Sequence, residues 1–377
     1  MFVYTLLNIL KTPWRSIQLI LGASLVFILL ITADSFESSI NKMLMVSGNP
    51  KNIILLGMGS EDSLERSEIS PAVLSATKGI RGLKKSFGKI AASPEVIYNA
   101  SVIINGEENE AILRGVTKES FLVYPNLSLT KGNYPKSGEM MVSSMAHKRL
   151  NTNINNLKIG KTIEFEGQSF VISGHFQAPG SVMESEVWLN LGDIMALTQR
   201  DRYSSVTVRL DTAEFDDVDL MFKQRQDLQV SAINETDYYN KISSFFDPIK
   251  WMAWLMALMI ASGALFGAMN SFYASIDSRK REFATLQAIG YTPFKLYLSI
   301  VLESFLIHLI SYLLAATIAF IFLPYISLAF GSLIFKLNVE LSQIINGLLF
   351  CILIATIVTI TPASLVLTSK LTSRLNH

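Results

Sequence analysis

The chain has 377 residues, 50% of them hydrophobic and 17% charged, with a formal net charge of +1 at pH 7. So large an apolar share with so little charge results when a soluble domain is averaged with several lipid-facing helices, and it excludes a wholly soluble chain. The single cysteine, Cys351, excludes a disulfide scaffold, the four histidines are scattered without metal-ligand spacing, and the near balance of charge gives no reason to expect a nucleic-acid partner.

In chain order, residues 1–16 form a short segment in which Lys11 and Arg15 have no acid beside them. Residues 17–33, IQLILGASLVFILLITA, carry no charge and are long enough as a helix to cross a bilayer core with snorkelling flanks. This run exceeds the apolar stretch of about 7–15 residues in a secretory signal, and no small-x-small site is clean at its end, so it reads as a retained span. Cleavage there would leave the topology of the rest unchanged.

Residues 34–248 are mostly polar and numerous enough to bury their own core; positions 34–247 hold 22 Lys and Arg against 27 Asp and Glu, a net of −5. Within them, 70–90 reads as a basic amphipathic helix, with Pro71 after the capping candidate Ser70. Val73, Leu74, Ile80, Leu83, Phe87 and Ile90 form its apolar side, and Lys78, Arg81, Lys84, Lys85 and Lys89 cover the remainder. The period then changes to two. Strands are expected at 96–104, 111–116, 162–165, 169–173, 187–189 and 205–210, separated by Asn-Gly, Glu-Gly and Pro-Gly turns, with helical pieces at 145–150 and 191–200. The pattern predicts an α+β domain in two lobes. Gly160, Lys161 and Thr162 spell the end of a phosphate-binding loop, but Asn155 stands where its first glycine is needed and a strand follows, so a hairpin edge is the better reading.

Three further apolar segments, 249–273, 297–323 and 344–368, are each long enough to span. Arg279, Lys280 and Arg281 lie between the second and third spans, and Lys370 and Arg374 follow the fourth. The positive-inside bias therefore places residues 1–16, 274–296 and 369–377 in the cytoplasm, and the domain 34–248 and the loop 324–343 outside. The third span carries two ionisable groups, Glu303 and His308. They are five residues apart, a poor helical registry for a direct pair, and each is expected to face other helices.

The segment 277–293, DSRKREFATLQAIGYTP, is charged at its start and amphipathic, with Phe283, Leu286 and Ile289 on one side and Gly290 before an aromatic-Thr-Pro break. It predicts a short helix across the cytoplasmic face. Its run from Arg281 to Gly290 resembles the Arg-Glu-x-x-x-Leu-x-Ala-Ile-Gly segment of the MacB/FtsX-like permeases, the type VII ABC transporter subunits. The order of one span, a large external domain and three more spans is also theirs. Gly115-Val116, Gly132-Asn133-Tyr134-Pro135, Gly138-Glu139-Met140-Met141-Val142 and Ile159-Gly160-Lys161-Thr162 are similar to motifs of the family's periplasmic core.

The resemblance implies four transmembrane helices and a MacB-like periplasmic core domain inserted between the first two, in a multi-pass protein of the bacterial inner membrane. It implies a dimer of permeases on cytoplasmic ATPase subunits, with ATP and Mg bound by the ATPase and no cofactor or catalytic residue in this chain. The segment before the first span is short, so the ATPase is expected as a separate polypeptide. Arg279, Arg281, Glu282, Phe283, Leu286, Ile289 and Gly290 would receive the ATPase movement. A glutamate near the start of the third span also resembles the family pattern, which gives Glu303 a structural or coupling role; Leu313, Leu314, Ala315 and Ala316 stand where the family often has glycines. The favoured reading is an exporter working with a periplasmic adaptor and an outer-membrane channel. The alternatives are a lipoprotein-releasing permease and an FtsX-like transmitter to cell-wall hydrolases.

Overall fold

Proline lacks an N–H and crowds the preceding turn, so it favours the start of a helix over its interior. The chain divides accordingly into α1 (Phe2–Lys11) and α2 (Pro13–Ser47) on either side of Thr12. The computed structural model describes residues 2–330 and 333–368. Lys370, Arg374 and the rest of the expected cytoplasmic segment 369–377 lie outside the described residues.

Two compact units divide the described chain. The first to be completed in sequence is a sheet unit, residues 40–246 with 328–335. It opens with β1 (Asn52–Gly57), α3 (Ala72–Thr77) and the small hairpin β2 (Lys85–Ser86) and β3 (Lys89–Ile90). The long hairpin β4 (Ala92–Ile104) and β5 (Glu107–Val116) follows, then α4 (Ser120–Val123), β6 (Ser128–Gly132), β7 (Glu139–Ser143) and α5 (Ala146–Arg149). A second hairpin, β8 (Thr162–Phe165) and β9 (Gln168–Gln177), precedes β10 (Val187–Asn190), α6 (Leu191–Leu197), β11 (Ser205–Arg209), α7 (Phe215–Gln224), β12 (Val230–Asn234) and α8 (Glu235–Phe245).

Ten of these strands form one sheet among the described residues, in the order β12-β1-β11-β4-β5-β10-β7-β9-β6, with β8 against β4 and β9. In place of the two lobes expected from the sequence there is one compact unit with three core clusters among the described residues, and β4 connects two of them. Its residues 92–95 pair with β11, and 96–104 pair with β5. Ile53, Val73, Val206, Phe222 and Val230 belong to the first core; Val102, Leu113, Phe165, Ile172 and Ile194 belong to the second. At the handover stands the buried Glu95, whose carboxylate accepts from Arg114 Nη1 at 2.5 Å and from the Tyr124 hydroxyl at 2.7 Å. The same guanidinium donates twice to Glu186, through Nε at 2.7 Å and Nη2 at 2.6 Å, and Trp188 Nε1 also donates to Glu186 at 2.8 Å.

The helix expected at 70–90 is a correction. Only Ala72–Thr77 is α-helical, and the chain then turns at Gly79 and Gly82 and forms the β2-β3 hairpin. Glycine is costly inside a helix, and Gly82 and Gly88 both have positive φ, which a helix does not use. Val73, Ile80 and Leu83 do reach the core, but Phe87 lies wholly outside it. The remaining expected strands and helical pieces are present, each starting or ending within a few residues of the span read from the pattern.

The helical unit comprises α1, the larger part of α2, and α9 (Asp247–Ser278), α10 (Lys280–Ala288), α11 (Pro293–Phe322) and α12 (Leu341–Thr368). Between the last two, β13 (Ser327–Phe330) pairs with β14 (Leu333–Lys336); residues 328–335 belong to the sheet unit, within which Phe330 and Phe246 lie 6.4 Å apart between ring centroids. Among the described residues, four helices are long and apolar enough to cross a membrane: Pro13–Ser47, Asp247–Ser278, Pro293–Tyr325 and Leu341–Ser364.

On α11 the polar residues Ser299, Glu303, Ser304, His308 and Ser311 are buried, while Leu298, Leu313, Phe320 and Ile321 are exposed. Recurring at 299, 303–304, 308 and 311, close to one helical turn apart, the polar groups gather on the side that packs against other helices, as a lipid environment requires. Close approach does not depend on glycines in α11. Ala315 and Ala319 are fully buried, and across from them Gly347 of α12 leaves room for Tyr312, whose ring a Cβ there would meet at 2.7 Å.

Candidate coupling site

Local chemistry sets the limits of α10. At its N-cap, Arg279 donates through Nε to the Glu282 carboxylate at 3.2 Å, and its guanidinium carbon lies 4.9 Å from the centroid of the Phe283 ring. At the other end Gly290 has φ +104°, and the N–H groups of Gly290 and Tyr291 donate to the carbonyls of Gln287 and Leu286 at 3.0 Å each. These are the two bonds of a Schellman stop. Thr292 and Pro293 then begin α11.

The single apolar side expected for this helix is divided. Phe283 is 1% exposed and Leu286 half-buried, whereas Ile289 is 72% exposed, alongside Arg281 and Glu282. Phe283 therefore fixes α10 to its own unit, and Arg281, Glu282 and Ile289 lie on the outward surface.

Arg279 also reaches the buried Glu303 of α11. Its Nη1 donates to Glu303 Oε2 at 3.1 Å, Asn8 Nδ2 of α1 donates to the same oxygen at 2.7 Å, and Arg15 Nη2 of α2 donates to Oε1 at 2.8 Å. Arg15 is held in turn by the Ser275 hydroxyl and by the Phe272 ring of α9, 5.7 Å from its guanidinium carbon. One turn before Asn8 and one before Glu303, the Thr5 and Ser299 hydroxyls lie 3.1 Å apart. One carboxylate thus gathers α1, α2 and the α9-α10 junction onto α11. Charge-assisted bonds away from bulk water resist stretching, because separating one cation leaves buried charge with fewer partners. The cluster therefore links α10 to α11 and α2 through charge-assisted bonds.

His308 is not part of this cluster. Its Nδ1 lies 2.8 Å from the Ser304 carbonyl, so that nitrogen carries the proton, and the Ser304 hydroxyl donates to the Ala355 carbonyl of α12 at 3.1 Å. This pair ties α11 to α12. Sequence reasoning used Arg15 only for topology and missed Asn8 altogether. The available signal was the row Thr5, Asn8 and Lys11, three residues apart in the otherwise apolar FVYTLLNILK.

Residues 18–219 match the family model of the MacB-like periplasmic core domain, and residues 254–371 match that of the FtsX-like permease C-terminal region. The chain belongs to the MacB/FtsX-like permease family. It is accordingly a multi-pass ABC transporter permease of type VII, with a periplasmic α+β domain between its first and second spans. Among solved structures it is similar to the periplasmic region of MacB from Actinobacillus actinomycetemcomitans, at 15% identity and a TM-score of 0.39, over 52% of this chain and 94% of that one. It is also similar to the extracellular domain of the noncanonic ABC-type transporter YknZ from Gram-positive bacteria, at 16% identity and a TM-score of 0.37, over 48% of this chain and 100% of that one. No curated protein matches the chain. Helix α10, Glu303 and His308 fall inside the FtsX-like match, whereas Asn8 and Arg15 fall outside both matched segments.

Proposed function

We propose that this permease couples ATP hydrolysis by a cytoplasmic ABC ATPase subunit to movement of its periplasmic domain, and that the movement drives export. The observation that carries the reading is the Glu303 carboxylate, which joins the short helix α10 to the first and third spans through Arg279, Arg15 and Asn8. In this mechanism the ATPase bears on the outward residues of α10, Arg281, Glu282 and Ile289. Arg279 and Phe283 make α10 move as one piece with its unit, and Gly290 ends the helix so that the push is not dissipated in the turn before α11. The ATPase subunit holds ATP and Mg. The permease works in the inner membrane as a pair of copies with cytoplasmic termini, alongside a periplasmic adaptor and an outer-membrane channel. Ser304 and Ser299 of α11 bond to α12 and α1 of the same chain, and Ser311 donates back to the α11 backbone, which fits transmission of force better than a hydrophilic conduit.

The test is purification of the tagged chain from native membranes in mild detergent, followed by reconstitution. A stoichiometric ATPase is expected to co-purify, and ATP is expected to change the protease sensitivity of the periplasmic domain. In Glu303→Gln the ATPase should remain bound while the ATP-dependent change is lost. Recovery of no ATPase in several detergents would overturn the reading.

A further inference from the structure

Three two-residue hairpin turns in the periplasmic domain share one backbone geometry. Asn105-Gly106 joins β4 to β5, Glu166-Gly167 joins β8 to β9, and Phe87-Gly88 joins β2 to β3. Both central residues have positive φ in each: 53° and 84°, 49° and 72°, and 49° and 77°. This is the type I′ pattern, whose first position suits Asn, Asp or Gly and strains a bulky side chain. Asn105 is the residue such a turn favours. Phe87 is not, and packing does not offset its strain, because the side chain is fully exposed at 103%.

The tip is held out by a firm root. Leu83 is buried and bridged to Leu210, Lys84 N donates to the Arg209 carbonyl at 2.8 Å, and Ala91 N donates to the Lys84 carbonyl at 2.8 Å. The N–H groups of Asp211, Thr212 and Ala213 converge on the Gly82 carbonyl at 2.9, 3.0 and 3.1 Å. Around the tip, Lys78, Arg81, Lys84, Lys85 and Lys89 are all exposed, and Lys89 Nζ pairs with Glu119 at 2.6 Å. This basic cluster stands on a domain whose net charge is negative.

We propose that the Phe87 hairpin is a docking finger for a protein partner that presents an apolar pocket rimmed by Asp and Glu carboxylates. The ring requires an apolar socket, and the surrounding cations select an acidic rim. A lipid surface rewards apolar area without regard to shape, so it gives no reason to hold one aromatic side chain in a strained turn. A shaped pocket does, because it needs the ring at one place and in one direction. The inference stands apart from the assignment of α10 and Glu303, since it uses none of those residues.

The experiment places p-benzoylphenylalanine at position 87 of the full chain in native membranes, with positions 105 and 166 as controls, and maps the photoadducts. The expected adduct forms at position 87 alone, on a partner segment carrying apolar residues beside Asp or Glu. Its yield should fall about tenfold when Lys84→Glu and Lys85→Glu reverse the local charge. Phe87→Asn should abolish co-purification of that partner while raising the apparent unfolding midpoint by about 2–4 °C, because Asn relieves the turn. No adduct at position 87, equal yields at 105 and 166, adducts with lipid only, or a yield indifferent to charge reversal would each overturn the proposal. So would a lower midpoint for Phe87→Asn, which would show that the ring serves the fold.

Discussion

The periplasmic domain and the membrane unit each contain a buried three-charge cluster, with the signs exchanged. In the first, the Arg114 guanidinium lies between the Glu95 and Glu186 carboxylates; in the second, the Glu303 carboxylate lies between the Arg15 and Arg279 guanidiniums. The Arg114 cluster is closed, its three side chains being 4%, 1% and 4% exposed, and its members stand on paired strands or just before one of them. Tyr124 and Trp188 complete its hydrogen bonds. Around Glu303 the cations are 21% and 11% exposed, and the contributing helices are interrupted at Pro13 and Gly290. A closed cluster within one sheet fixes a fold, whereas a partly open one shared by separate helices suits the joint proposed above.

The largest effect expected from that contrast is at Arg114. Arg114→Met leaves two carboxylates buried without their cation and should destabilise the periplasmic domain by about 3–5 kcal/mol, seen as rapid proteolysis of the domain in the full chain. Adding Glu95→Gln and Glu186→Gln should recover much of the loss, because the penalty arises from unpaired charge. A stable single variant would break the comparison. At the joint, Glu303→Gln should cost about 2 kcal/mol and leave the periplasmic domain as protease-resistant as before in the absence of ATP. Arg279→Lys sharpens the point: it keeps the charge but loses the planar fork that contacts Glu303, Glu282 and Phe283 together, so the ATP-dependent change should weaken without loss of insertion.

Gly290 should show a smaller, local effect. A Cβ there meets nothing within 4 Å, so Gly290→Ala tests the φ of +104° alone. Opening the end of α10 by about 1.4 kcal/mol corresponds to about tenfold faster amide exchange at Gly290 and Tyr291, with no change in the periplasmic domain. Exchange as slow as in the wild type would show that the helix end does not depend on glycine.

The end of this helix was legible because Ile-Gly before Tyr-Thr-Pro is punctuation that acts over a few residues. The Asn-Gly and Glu-Gly hairpins were legible for the same reason, and the long apolar helices from length alone. The 70–90 segment was misread because its apolar positions fit a period of 3.6, yet Gly79, Gly82 and Gly88 made a helix costly and the β2-β3 turn placed Phe87 in solvent. The Glu303 cluster was not legible. Asn8 and Arg15 are separated from Glu303 by 295 and 288 positions, and the local pattern of α1 shows only that one of its rows is polar.

Another buried carboxylate, Glu235 at the start of α8, belongs to neither kind of cluster and should give the smallest effect. Two neutral groups donate to it, the Asn49 N–H and Asn52 Nδ2, each at 2.9 Å. Burial pushes its carboxyl up from 4.5 to about 8, and these two bonds only partly oppose the shift. Between those values the folded state binds more protons than the unfolded state, so stability is full below about pH 4.5 and falls as pH rises through about 8. From pH 7 to 8 the loss should be roughly 1 kcal/mol. That interval avoids His175, which burial and Lys131 push down, so that its contribution is lost only on the acid side. Glu235→Gln should flatten the dependence above pH 7, measured as the apparent unfolding midpoint of the periplasmic domain against pH. If the wild type is as stable at pH 8 as at pH 7, Glu235 is already ionised and has found a cation, and it then belongs with the closed cluster around Arg114.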